Sequence, residues 1–265
     1  MGSERLNLSR GLQMKRDLVA HIASPFLPQE INPIVPEGLP RARELVHQGY
    51  GLIVAFNHFS FRDALDIMEF IIEQPVIGER PITSPMARHQ FDAFKAVVRP
   101  LTYLASIDMY SVVAKDTKKH KKYQNVPLGE GMFDYLKAGV RSLEVGGIVP
   151  IALQTGRRAS LYEDEPEKSL SSIMAVAKKR KLNKYAVLFV GLGRPGVEDY
   201  SKEIKKFNFF KTYRINTGNV FTAEEIHNQV GDSHEIDKFA YKQLELVVPE
   251  AYLKKATLTP PLPGV

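Results

Sequence analysis

The chain has 265 residues, of which 44% are hydrophobic and 25% are charged, a composition that suits a folded α/β domain and excludes bulk disorder. It contains no cysteine, which excludes disulfide bonds, a thiol nucleophile and a thiolate metal site. Part of its formal charge of +6 is concentrated in basic runs at residues 115–122, 178–181 and 202–214. These runs are expected to attract phosphate-bearing partners.

Two features of the sequence bear on the location of the protein. No apolar run reaches the length of about 18 residues that would indicate a transmembrane helix. Residues 1–16 mix charged side chains with scattered leucines and lack the compact apolar region of a secretory signal peptide. We therefore expect a cytoplasmic protein that does not span a membrane.

The ends of the chain differ from its middle. Residues 4–26 predict a lone helix with leucines partly on one side, which we expect to pack on its own domain; a position on a bilayer surface is the alternative. The proline-containing tail TLTPPLPGV is expected to be extended. We therefore divide the chain into an N-terminal helical segment at residues 1–45, an α/β domain at residues 46–255 and a tail at residues 256–265.

The middle of the chain alternates between strand and helix patterns. The first unit is the apolar run GLIVAF at residues 51–56, followed by apolar residues at helical spacing over residues 63–73. Helix-then-strand units follow at residues 127–153 and 170–190, and residues 236–247 predict a late amphipathic helix. This order predicts an α/β fold with a mostly parallel central sheet flanked by helices.

The loop after the first predicted strand, NHFSFRD, contains a histidine and an aspartate with four residues between them. In open α/β sheets, ligands bind at the carboxyl ends of the strands, where this loop lies. A histidine acts as a general base when one ring nitrogen is held as a donor, so that the other can accept a proton. Asp63 can hold His58 in this way, and the acceptor alcohol would then be the nucleophile. A structural histidine remains the alternative for this spacing alone.

Asn57, His58, Ser60 and Asp63 together resemble the first block, N-H-x-S-x-x-D, of the glycerolipid acyltransferase family, which includes the 1-acylglycerol-3-phosphate O-acyltransferases. The resemblance implies a glycerol-3-phosphate acyltransferase-like fold, with His58 as the general base and Asp63 as its partner. It also places Asn57 and Ser60 among the candidate substrate-binding residues.

A later segment, IALQTGRRAS, resembles the third block of that family, F-P-E-G-T-R, which binds the phosphate of the acceptor. One alignment places Gln154 at the position of the family's glutamate and Arg157 at its arginine. The other places Thr155 and Arg158 at those positions, with Gly156 in common. In both alignments the carboxylate is missing. Two adjacent guanidinium groups beside a glycine still make a candidate phosphate site.

The remaining blocks of the family match less closely. Residues 109–115 (MYSVVAK) correspond to the second block, with Lys115 in place of the phosphate-binding arginine. Residues 185–193 correspond to the apolar fourth block but lack its proline. The spacing between the first and third blocks suggests an insertion around residues 116–124. The phenylalanines at positions 59, 61, 91 and 94 are candidates for lining an acyl-chain slot.

The resemblance implies an enzyme that transfers a fatty acyl group from acyl-CoA or acyl carrier protein to a hydroxyl of a lysophospholipid or a glycerol-phosphate-like acceptor. It implies no cofactor besides that acyl-donating co-substrate, and it implies peripheral association with an anionic membrane surface. A non-catalytic lipid-binding or carrier-protein-binding module of the same fold is the main alternative. A metal-dependent hydrolase using His58, Asp63 and Asp66 lacks a convincing ligand set, so we expect no metal site. The basic runs alone do not indicate nucleic-acid binding.

Overall fold

The computed structural model describes residues 10–23, 25, 27–60, 62–93, 100, 102–103, 105–115, 117–154, 156–163, 166–204, 210–231 and 233–253. Residues 1–9 of the N-terminal segment, Thr155 of the candidate phosphate site, and the predicted tail at residues 256–265 lie outside these described residues. Phe61 and Phe94, which were predicted to line an acyl slot, also lie outside them.

A seven-stranded sheet forms the centre of the molecule, in the order β1-β7-β6-β2-β5-β3-β4. Strands β6, β2, β5, β3 and β4 run parallel to one another, whereas β7 is antiparallel to β6 and β1 is parallel to β7. The strands are β1 (Gln29–Pro33), β2 (Gly51–Phe56), β3 (Ile82–Ala87), β4 (Ile107–Val112), β5 (Ile148–Ala152), β6 (Tyr185–Gly193) and β7 (Tyr213–Thr222).

Helices flank this sheet, which confirms the predicted α/β class and the mostly parallel central sheet. The helices are α1 (Arg10–Ala23), α2 (Gly38–His47), α3 (Asp63–Glu73), α4 (Arg88–Ala93), α5 (Met132–Glu144), α6 (Ser169–Lys179), α7 (Ala223–Val230), α8 (Ser233–Glu245) and α9 (Glu250–Leu253). None of the helices within the described part of the chain combines the length and the apolar character that a bilayer span requires.

The central strands are buried because their sequences are apolar on both faces. Every residue of β2 and of β6 is buried, and β5 is buried except at its last residue. Parallel strands covered by helices on both sides require such continuous apolar runs. The apolar stripe of α5, including Val140 and Leu143, packs into the same core. These buried strands bring the loops that follow β2 and β5 to one edge of the sheet.

Thr222 and Glu225 form a capping box at the start of α7. The Thr222 hydroxyl accepts from the Glu225 N–H at 3.2 Å, and the Glu225 carboxylate accepts from the Thr222 N–H at 2.8 Å. These two bonds satisfy main-chain donors that would otherwise lack helical partners. The capping box lies where β7 ends at Thr222 and α7 begins at Ala223.

The N-terminal segment contributes to the sheet as well as to a helix. Strand β1 pairs with β7, and the boundary placed between residues 45 and 46 falls inside α2, so the sheet extends across it. Helix α1 contacts α3 and inserts Arg16, which is fully buried. The guanidinium of Arg16 donates to main-chain carbonyls of Gly78, Arg80, Ala105 and Ser106. Met14 and Leu18 of the same helix remain exposed.

Candidate active site

The candidate site lies where β2 and β5 end side by side. Phe56 is aligned with Ala152 in this parallel pair, and the Leu153 N–H donates to the Phe56 carbonyl at 2.9 Å. Asn57 and His58 follow β2, and Gln154 follows Leu153 after β5. Two segments that are almost 100 residues apart in sequence are therefore adjacent at the carboxyl edge of the sheet.

His58 and Asp63 form the pair that the sequence predicts. His58 Nδ1 lies 2.9 Å from Asp63 Oδ2, and the same oxygen accepts from the main-chain N–H groups of Phe59 at 2.6 Å and Ser60 at 2.7 Å. Asp63 is fully buried at the first residue of α3, where the helix dipole favours a negative charge. With Nδ1 held by this carboxylate, Nε2 is the ring nitrogen left for proton transfer.

Phe59 anchors the loop that carries this pair to the core. Phe59 is fully buried and stacks on Tyr213 with ring centroids 5.6 Å apart. It also makes an edge contact with Tyr200 and a tilted contact with Tyr252. These contacts place Phe59 in the core and not in an acyl-chain slot. The packed ring fixes the main chain between His58 and Asp63.

Asn57 and Ser60 hold the loop in place instead of facing a ligand. The Asn57 side chain is fully buried, and it both donates to the Leu192 carbonyl at 3.0 Å and accepts from the Leu192 N–H at 2.7 Å. Ser60 is also fully buried, and its hydroxyl accepts from the Arg62 N–H at 3.2 Å. These positions do not fit the substrate contacts predicted for the two residues, because a ligand cannot reach a fully buried side chain that bonds to the main chain.

Arg157 and Arg158 both lie near His58, but their guanidinium groups already contact protein atoms. Arg157 Nη1 donates to the Ile204 carbonyl at 2.6 Å, and Arg158 Nη2 lies 3.5 Å from a Glu167 carboxylate oxygen. Lys115 Nζ lies 3.4 Å from the same oxygen of Glu167. Lys115 and Arg158, predicted from separate blocks, therefore share one carboxylate that sequence reasoning missed.

A cavity of about 430 Å³ opens beside His58. It lies between α3, α5 and the ends of β3, β4 and β5, and four methionines line it: Met68, Met86, Met109 and Met132. His58, Gly156, Arg157 and Lys115 line the same cavity. Phe59 and Phe91 are not among the described residues that line it, and Phe61 and Phe94 lie outside the described residues. Leu65 and Leu128 line the cavity and are also exposed at the surface.

A second group of buried charges supports the start of α3. The guanidinium of Arg62 donates to Asp66 Oδ1 at 2.8 and 3.0 Å and lies 4.4 Å from the ring centre of Tyr213. Burial raises the pKa of Asp66 to about 8, although the Arg62 charge lowers it in part. Burial, with a contribution from Glu73, raises the pKa of Glu69 to about 7. Asp66 thus pairs with Arg62 and does not join His58 and Asp63.

Comparison with known proteins adds no family to this description. No protein-family model matches the chain, and no curated protein matches it significantly. The likeness to the acyltransferase blocks therefore rests on residues 57–63 and 154–158 of this chain, together with the geometry around them.

Proposed function

We propose that the protein is an O-acyltransferase that resembles the 1-acylglycerol-3-phosphate O-acyltransferases and shares their fold. The observation that carries this proposal is the 2.9 Å contact between His58 Nδ1 and Asp63 Oδ2 in the wall of an apolar cavity. A histidine held by a buried carboxylate is a general base. Its position beside an apolar cavity fits a reaction in which one substrate is an acyl chain.

In the proposed reaction, His58 Nε2 removes the proton from the acceptor hydroxyl as the oxygen attacks the carbonyl carbon of an acyl thioester. A C–O bond forms, and the tetrahedral intermediate carries its negative charge on the former carbonyl oxygen. The C–S bond then breaks, and the leaving thiolate takes the proton from the imidazolium. Asp63 stabilises the positive ring between these steps. We propose that the main-chain N–H of Gly156, which lines the cavity, is the donor to the oxyanion.

The cavity supports the assignment of the acyl chain. Methionine side chains are unbranched and adaptable, so a wall with four of them suits a flexible hydrocarbon. The exposed Leu65 and Leu128 in the same wall provide an apolar entrance. We propose that the acyl group of the donor enters there, from acyl-CoA or acyl carrier protein, and that no other cofactor takes part.

The cluster of Lys115, Arg158 and Glu167, called the charged wall from here on, supports an anionic acceptor. Arg158 and Lys115 lie at 3.5 and 3.4 Å from Glu167, near the limit of an ion pair, so a phosphate could displace this carboxylate. We propose a lysophospholipid or a glycerol-phosphate-like acceptor. We also propose that the protein works in the cytoplasm at an anionic membrane surface, where its basic runs would be attracted.

The decisive experiment is incubation of the purified protein with lysophosphatidate and either long-chain acyl-CoA or acyl carrier protein, with the products identified by mass spectrometry. A new diacyl phospholipid is expected. His58→Ala should lower kcat by ~10²–10⁴-fold, because it removes the general base. His47→Ala, an exposed histidine at the end of α2, is the control and should retain full activity. A His58→Ala variant at the native rate would refute the mechanism.

The alternative is a non-catalytic module that binds a lipid or a carrier protein. Two observations favour it: Gln154 stands at the position of the third-block glutamate in one alignment, and both neighbouring arginines already contact protein atoms. Such a module would bind acyl-CoA or acyl carrier protein and release no new phospholipid. The same incubation separates the two functions.

A further inference from the structure

We infer that Gln154, supported by Tyr252, is the positioning residue that holds the main chain of His58 for proton transfer, an inference that rests on the proposed function. Gln154 Oε1 accepts from the His58 N–H at 3.0 Å and from the Tyr252 hydroxyl at 2.8 Å. Gln154 Nε2 donates to the carbonyls of Ser160 at 3.2 Å and Leu161 at 3.5 Å. The side chain is 3% exposed, so these protein atoms are its principal partners.

An amide suits this position because it must accept and donate at the same time. Its oxygen faces two donors, and its nitrogen faces two carbonyl oxygens. An ionised carboxylate can only accept, so a glutamate here would point a negative oxygen at the carbonyls of Ser160 and Leu161. Buried polar groups left in such opposition are costly. The departure from the third-block glutamate is therefore matched to the surroundings of Gln154.

The His58 carbonyl is held as well as the His58 N–H, and Tyr252 lies near both groups. The His58 carbonyl accepts from the Arg158 N–H at 2.9 Å and lies 3.4 Å from the Tyr252 hydroxyl oxygen. Tyr252 comes from α9, and its own carbonyl accepts from the Leu161 N–H at 2.8 Å. Burial raises the pKa of the Tyr252 hydroxyl well above its usual value, so it keeps the proton that it donates.

Holding both the N–H and the carbonyl of His58 fixes the position of its imidazole ring. The Nδ1–Oδ2 contact with Asp63 depends on where the main chain places the imidazole, and a displacement of about 1 Å at a catalytic group can cost on the order of 10²-fold in rate. Gln154 is also neutral. It fixes the loop without adding a second buried carboxylate beside the one that already orients His58.

The test replaces Gln154 by Glu and by Met, with Gln74→Met as the matched control. Gln74 is a glutamine of similar burial that accepts from Arg43 at 2.7 Å at the end of α3, away from His58. Both Gln154 variants should lower kcat by roughly 10- to 100-fold with little change in KM, because positioning and not binding is lost. Gln74→Met should keep the native kcat. Tyr252→Phe, which removes one donor, should lower kcat by a smaller factor.

A spectroscopic readout does not depend on turnover. In protein with labelled histidines, the Nδ1 proton shared by His58 and Asp63 should give a downfield NMR resonance that is absent in His58→Ala. It should be lost or broadened in both Gln154 variants and retained in Gln74→Met. If Gln154→Glu and Tyr252→Phe keep both the native kcat and this resonance, the inference is overturned. If the resonance behaves as expected and no acyl transfer is detected in the native protein, the proposed function fails and the positioning role stands.

Discussion

The loop that carries His58 and the charged wall near it are built in different ways. In the loop, Asp63 Oδ2 accepts three bonds of 2.6 to 2.9 Å, and the side chains of Asn57 and Ser60 are buried and bonded. In the charged wall, the contacts of Glu167 with Lys115 and Arg158 are 3.4 and 3.5 Å long, and Lys115 is 57% exposed. The loop is fixed before any ligand arrives, whereas the wall has partners that a ligand can replace.

This difference suits two tasks with different requirements. Proton transfer needs a fixed geometry, because the rate falls steeply with misplacement of the base. Anion binding needs cations that are kept near the site but are not permanently neutralised. Substitutions in the loop should therefore change kcat, and substitutions in the wall should change KM.

The largest expected effect is that of Asp63→Asn. The neutral amide does not hold the Nδ1–H tautomer of His58 or stabilise its positive form, so kcat should fall by ~10²–10⁴-fold. The measurement is the initial rate of phospholipid formation, with circular dichroism as a check on folding. Asp237→Asn is the matched control, because Asp237 is also buried and accepts from the N–H groups of Leu170 and Ser171 at the start of α6. A kcat within threefold of native would contradict the role of the loop in setting kcat.

The charged wall should respond in KM, and in opposite directions at two positions. Arg158→Gln removes a charged donor to the acceptor's phosphate, so the acceptor KM should rise roughly 10- to 100-fold. Glu167→Gln removes the competing carboxylate, and KM should fall by a few-fold. Steady-state kinetics at two salt concentrations would measure both. If Glu167→Gln raises KM, the carboxylate contributes to acceptor binding and does not compete with the phosphate.

The cavity should determine which acyl chains are used. Met132→Trp puts a large rigid ring into the lining, so kcat/KM for long-chain donors should fall about 10-fold while short-chain donors are less affected. Met132→Leu conserves volume approximately and serves as the control. The measurement is a competition among donors of different chain length, read by mass spectrometry. An unchanged chain-length profile would place the acyl group elsewhere.

The smallest expected effect is on the free energy of unfolding and does not involve the candidate active site. The folded-state pKa of Glu69 is about 7, against an ordinary value of 4.5. Between these values the folded protein holds a proton that the unfolded chain releases, so the stability of the native protein should fall as pH rises through this window. The raised pKa of Asp66, about 8, contributes a fall of the same sign, so Glu69→Gln should remove only the part due to Glu69. The gain should be on the order of 1 kcal/mol, or roughly 2–4 °C in Tm, at pH 8 relative to pH 5.

Glu79→Gln is the control for this prediction, because Glu79 is exposed. Thermal unfolding followed by circular dichroism at both pH values gives the comparison. The hydrogen bond from Gln29 to Glu69, at 2.7 Å, can be kept by the amide oxygen of the variant. A native Tm that rises from pH 5 to pH 8 as much as that of Glu69→Gln would contradict the assignment.

Sequence reasoning recovered the parts of the fold with a strong local pattern. The run GLIVAF and the apolar stripe of α5 predict a buried strand and a helix, and both are present. Strand β1 was missed because its burial pattern is irregular and its sequence, QEINP, is mostly polar. Strand β3 was missed because ITSPMA contains a proline and polar residues. Pairing with neighbouring strands stabilises these segments, and a local pattern does not reveal it.

The candidate site divides in the same way. The His58–Asp63 pair was predictable because both residues lie in one short loop. The contacts of Gln154 with Tyr252 and of Asn57 with Leu192 join residues 98 and 135 positions apart, so they depend on the order of strands in the sheet. Glu167 carried no signal in the sequence, because nothing local links it to Arg158 or Lys115.

The buried Arg16 has a consequence for the order of events during synthesis. Its four carbonyl acceptors come 62 to 90 positions later in the chain. A nascent chain that extends only to about residue 60 can form α1 but does not yet contain the carbonyls that accept from Arg16. The helix is thus made early and attached late, and a ribosome-bound intermediate should leave it open to proteolysis until β4 has emerged.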